Sequence, residues 1–143
     1  MFQDPNHPDL QQLAQHHDAG TATTIPAQQA AAAVEDFHQN ADPAIVQQVT
    51  NEHYENMSPA QLQGAAQQFK DKLQTVAGSS PEAAQLAAID PSTATPQQVA
   101  EMHRFILKNH PELMRDVLIA GGAIAVGALA AFAAKRYLAH HGK

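Results

Sequence analysis

The chain reads as all-α: several short, Pro-capped amphipathic helices followed by one long apolar helix toward the C-terminal end. Three observations predict this. Ala and Gln supply 29 and 17 of the 143 residues, and both sit comfortably in helices. Asp, Ser or Thr stands directly before Pro at Asp42-Pro43, Ser58-Pro59, Ser80-Pro81, Asp90-Pro91 and Thr95-Pro96. That is the pairing of an N-cap with a residue whose missing N–H is harmless in the first turn. Alternation of β-branched or aromatic residues with polar ones is scarce, and only 5% of residues are aromatic, which argues against a sandwich or a parallel sheet.

Taken in order, residues 1–24 are polar, rich in His, Gln and Thr, and are expected to be a flexible arm with one short helix near 8–17 that Gly20 ends. Residues 25–110 form an acidic Ala/Gln-rich helical region, with helices predicted at 26–39, 43–57, 59–77, 81–89 and 96–109. Gly78 is a natural stop, whereas Gly64 inside the third of these costs about 1 kcal/mol. The clearest amphipathic stripe is Leu62, Ala66, Phe69, Leu73 and Val76, whose spacing of four, three, four and three puts them on one face. It is a candidate core or partner-binding face. Weaker stripes are Ala30, Val34 and Phe37; Val46, Val49, His53 and Met57; and Val99, Met102 and Ile106. Because most facing residues are Ala, the core they promise is thin.

Residues 111–143 read as a membrane-anchor helix with a basic tail. Val117 to Ala134 holds eighteen residues without a charge, about 27 Å of helix against a hydrocarbon core of ~30 Å. Val117, Leu118, Ile119, Ile124, Val126, Leu129 and Phe132 drive insertion, and the rest are Ala and Gly. Arg115, Lys135, Arg136 and Tyr137 are placed to anchor the ends at the lipid interface. Ala123, Gly127 and Ala131 recur every fourth residue and offer a helix-association face for a homo-oligomer. The expectation is a single-pass, tail-anchored transmembrane protein. Met1 to Leu10 lacks the basic and apolar regions of a secretory signal, which points to a cytoplasmic N-terminal region. The alternative for the apolar run is a buried central helix, which needs other helices to cover it on every side.

Charge and side-chain chemistry narrow the function. Net charge is −6, but residues 1–100 carry eleven acids against Lys70 and Lys72, while residues 101–143 carry three acids against six bases. An acidic body excludes nucleic acid as a partner, and the basic end suits anionic headgroups. With no Cys there is no disulfide, thiolate metal site or thiol nucleophile. Glu35 and His38 have the spacing of one half of a carboxylate-bridged di-iron site, but no second Glu-x-x-His follows. Glu52, His53, Glu55, Glu101 and His103 could be gathered by folding, though nothing in their spacing demands it. His16-His17 and His140-His141 are adjacent and so diverge by about 100° on a helix. Ser58, Ser79, Ser80 and Ser92 sit at caps and turns.

No catalytic, cofactor or metal residue stands out. The expected function is therefore a non-enzymatic, membrane-anchored adaptor or structural subunit that binds a protein partner through Leu62, Phe69 and Leu73. The alternative is a bilayer-active component, a small self-assembling pore or a membrane plug, and the third reading is a soluble helical interaction module.

Overall fold

The structure, a computed structural model, describes residues 8–21, 24–120 and 126–141. These residues form α1 (Pro8–Ala19), α2 (Ala27–Asn40), α3 (Pro43–Glu55), α4 (Pro59–Gln74), α5 (Pro81–Ala87), α6 (Pro96–Asn109), α7 (Pro111–Ala120) and α8 (Val126–His141), with a 3-10 turn at Ala77–Ser79 and no strand among them. The all-α class is as the sequence predicts.

Four of the five capping pairs open helices. Asp42 accepts the amide of Ala44, Ser58 that of Gln61, Ser80 that of Ala83 and Thr95 that of Gln98. At Ser58 and Thr95 the third helical residue, Gln61 or Gln98, reaches back to the cap amide and completes a capping box. Asp90-Pro91 is the exception. Asp90 takes the amide and hydroxyl of Ser92 in a local turn, and Pro96 follows too soon for a helix of its own. At the end of α1, Gly20 adopts φ +70°, with Thr21 N donating to His16 O and Gly20 N to His17 O. This pair of bonds is a Schellman closure, and the left-handed backbone at its centre suits glycine.

The helices pack around two centres. One is α8, which lies against α1, α2 and α3; the other is α6, which lies against α3, α4 and α7. Helix α3 touches both, α5 rests on α4, and α7 also packs on α2. Ala30, Ala33, Val34 and Phe37 are fully buried on α2, as are Ala65, Ala66, Phe69 and Leu73 on α4. The segment expected to be a loose arm carries α1, whose Leu10 and Leu13 are buried in the same core. None of the sixteen Gln among the described residues is buried, so uncharged amides supply the polar surface that the low charge content leaves open.

The expected transmembrane helix finds no support among the described residues. Within the apolar run the described residues are those of α7 up to Ala120 and of α8 from Val126, and no described helix is long and apolar enough to cross a membrane. The physical reason lies in composition and cover. The run is mostly Ala and Gly, and its sides are occupied by protein. Val117, Leu118, Val126 and Leu129 are buried, as are Ala130, Ala131, Ala133 and Ala134, and so is Gly127. Phe132 is half-buried, stacked by His17 of α1 with ring centroids 5.7 Å apart, and the Arg136 guanidinium sits 5.5 Å over it. Ile119 is 45% exposed. Ala123 and Ile124 lie outside the described residues, as do the side chains of His140 and His141.

Candidate functional site

The residues assigned to a lipid interface find protein partners instead. Arg115 Nε donates to Glu35 Oε1 at 2.8 Å, Lys135 Nζ lies 2.9 Å from Asp18 Oδ1, and Arg136 pairs with Glu52. Tyr137 is buried. Thus α8 is fastened by ion pairs to α1 and α3, and α7 to α2. The Leu62, Phe69 and Leu73 face points inward: all three are buried and only Val76 is half-exposed, so this stripe is core.

Sequence spacing paired Glu35 with His38, but the structure sends them to different neighbours. Glu35 takes Arg115, while His38 turns toward α6. Glu52, His53, Glu55, Glu101 and His103 are not assembled either, since Glu52 goes to Arg136 and His53 packs edge-on to Tyr54. Among the described residues no three His, Asp or Glu side chains converge as a metal centre would need.

What the structure assembles is a buried chain of three polar side chains from three helices. Tyr54 of α3 and His103 of α6 are both fully buried. Tyr54 Oη lies 2.8 Å from His103 Nδ1, and His103 Nε2 lies 3.1 Å from His38 Nε2 on α2. Phe69 stands edge-on to both Tyr54 and His103. Helix spacing explains the placement: His103 follows Val99 by four residues, within the buried stripe completed by Met102 and Ile106.

Burial sets the proton arrangement. It pushes the Tyr54 phenol well above its ordinary value, so the hydroxyl stays protonated. It pushes His38 down to about 4, and His103 well below 6.5 with further lowering from His38, His53 and Arg104. All three groups are therefore neutral at neutral pH. A buried phenol must donate its single proton, and its partner is His103 Nδ1. Consequently His103 carries its own proton on Nε2 and donates to His38 Nε2, which leaves the His38 proton on Nδ1. That Nδ1 is buried with no partner among the described residues.

His38 also lines two clefts. One, of about 240 Å³, is bounded by Glu35, Leu107 and Met114 among others. The other, of about 630 Å³, lies between α2, α3 and α6 and is bounded by Val46, Leu107, Arg104 and Lys108 among others. Arg104 is held by Asn51, with Nη1 donating to Oδ1 at 2.6 Å. Sequence reasoning missed the chain because its members lie far apart, although a histidine inside an apolar stripe signals a buried polar group in need of partners. No family model, no curated protein and no solved structure matches this chain.

Proposed function

We propose that the protein is a non-enzymatic helical interaction module that keeps its apolar C-terminal segment inside its own bundle and meets a protein partner through its glutamine-rich, acidic exterior. The observation that carries this reading is the fate of the basic flanks. Arg115, Lys135 and Arg136 each engage an acid of another helix, and the apolar helix between them lies on α1, α2 and α3. Lipid would have to compete with these contacts. A non-enzymatic role is supported by the two inner histidines, both held neutral by burial. A general acid or base works best with a pKa near the operating pH.

The test is flotation with anionic phospholipid vesicles at neutral pH, followed by alkaline carbonate. The expected result is that the protein stays in the dense fraction. Co-flotation that resists carbonate would overturn the reading in favour of a single C-terminal span. That alternative retains one argument, the eighteen uncharged residues from Val117 to Ala134.

A further inference from the structure

The interior chain has no place for an extra proton. With the Tyr54 hydroxyl donating to His103 Nδ1 and His103 Nε2 donating to His38 Nε2, the acceptor nitrogen of each ring is in use. A proton arriving on His38 Nε2 sets one N–H against another at 3.1 Å, and one arriving on His103 Nδ1 displaces the Tyr54 hydroxyl. Charging either ring therefore breaks the chain. The surroundings do little to keep a charged ring inside. His103 is faced by His38 of α2, His53 of α3 and Arg104 of its own helix, all cationic or able to become so, and α4 brings Phe69 edge-on. His38 shares one cleft with Arg104 and Lys108 and the other with Glu35, and Glu35 is engaged by Arg115 of α7. The two cations of α8, Lys135 and Arg136, lie on Asp18 and Glu52.

The same chain ties the seat of α8 to the rest of the molecule. Helices α2 and α3 both lie against α8, and His38 and Tyr54 bond each of them to His103 of α6. We propose that acid unlatches α8: charging of His38 and His103 parts α2 and α3 from α6, and the freed apolar part of α8, from Val126 to Phe132, docks on an anionic lipid surface with Lys135 and Arg136 at the headgroups. This rests on the reading that the apolar segment is kept inside at neutral pH. Two rings make the opening steep, since below pH 6.5 each favours the open form about tenfold per pH unit. Acid also changes the sign of the chain. Eight Lys and Arg with nine charged His outweigh fourteen acids by three, where at neutral pH the balance is −6, and a net cation is drawn to anionic headgroups.

The experiment is flotation of the full chain, at pH values from 7.5 to 4.5, with vesicles of phosphatidylglycerol and phosphatidylcholine in equal parts, beside vesicles of phosphatidylcholine alone. Flotation is expected only in acid, with at least tenfold weaker binding to phosphatidylcholine alone. Between pH 6 and 5 the apparent affinity should climb about a hundredfold. His38→Gln, whose amide oxygen still accepts from His103 but takes up no proton, should bind at least tenfold less at pH 5. The chain has no Trp, so Phe132→Trp reports on α8 alone, and brominated lipid should quench it at pH 5 but not at pH 7.5. Four results would each overturn the proposal and leave the neutral-pH reading standing: flotation at neither pH, a climb of less than tenfold, acid binding unchanged in His38→Gln, or acid flotation with Phe132→Trp unquenched. Equal flotation at pH 7.5 and pH 5 would overturn both.

Discussion

The two packing centres are built on opposite principles. Around α8 the contacts are small and dry: Ala130, Ala131, Ala133 and Ala134 are all fully buried, and helices meet there because side chains are too short to hold backbones apart. Around α6 the contacts are large and directional, with Tyr54, Phe69 and His103 in edge-on aromatic arrangement and a hydrogen-bonded chain through the middle. The first centre tolerates chemistry but not volume, while the second tolerates modest changes of volume but not the loss of a partner. Single substitutions should separate them.

The largest effect is expected at His103. His103→Leu would strip Tyr54 Oη and His38 Nε2 of their partner, at about 1 to 3 kcal/mol for each buried group. Denaturant unfolding should therefore show a loss of about 2 to 6 kcal/mol. Adding Tyr54→Phe should recover part of it, because the stranded hydroxyl is gone; a double variant with fully additive losses would contradict the bonded chain.

Acid should act on the same centre. Folded His38 stays neutral down to about 4, against an ordinary 6.5, so between these values the unfolded chain binds the extra proton. Stability is then fully present above pH 6.5 and falls as pH drops toward 4, by about 3 kcal/mol from His38 at 1.36 kcal/mol per pH unit. His103 adds to the loss in the same direction. Asp18 and Asp90, held low by a hydrogen bond from Lys135 and by the Ser92 amide, lose their contributions only as pH falls below the usual carboxylate range. Thermal unfolding from pH 7.5 to 4 should show the slope in the wild type and a shallower one in His38→Gln.

The α8 centre responds to size. Ala131→Leu forces added methylenes into a filled interface and should cost about 1 to 3 kcal/mol, with the pH slope unchanged. A changed slope would mean that the two centres are coupled. The smallest effect belongs to Arg136, which is partly exposed and pairs with Glu52. Arg136→Gln should change stability by no more than about 1 kcal/mol, measured at low and high salt.

Helix starts were legible because their chemistry is local: Ser58 needs only Gln61, and Thr95 only Gln98. The Asp90-Pro91 pair misled for the same reason, since the local signal carries no information about Pro96 five residues later. The fate of the apolar run was not legible. Hydropathy and length describe what Val117 to Ala134 avoids, which is water, and both lipid and protein satisfy that. The cover comes partly from α1, whose two buried leucines, Leu10 and Leu13, are too few to stand out among polar neighbours. The interior chain was illegible for a further reason. Its bonds join residues 49 and 65 positions apart, and even where one member, His103, falls inside an apolar stripe, nothing local to it names Tyr54 or His38 as its partner.

The position of α8 in the chain has a consequence for biosynthesis. The apolar faces of α1, α2 and α3 are completed by a helix that emerges last among those described, and Lys135 meets Asp18 across 117 positions. At ~5 to 20 residues per second of translation, Leu10 and Leu13 wait on the order of ten seconds before α8 exists to cover them. Such long-range closure slows folding. In the interval the buried alanines of α2 lack their cover, and α8 leaves the ribosome with its uncharged first part, from Val126 to Ala134, ahead of Lys135 and Arg136, so the first surface it meets, its own three helices or something else, decides where it ends up.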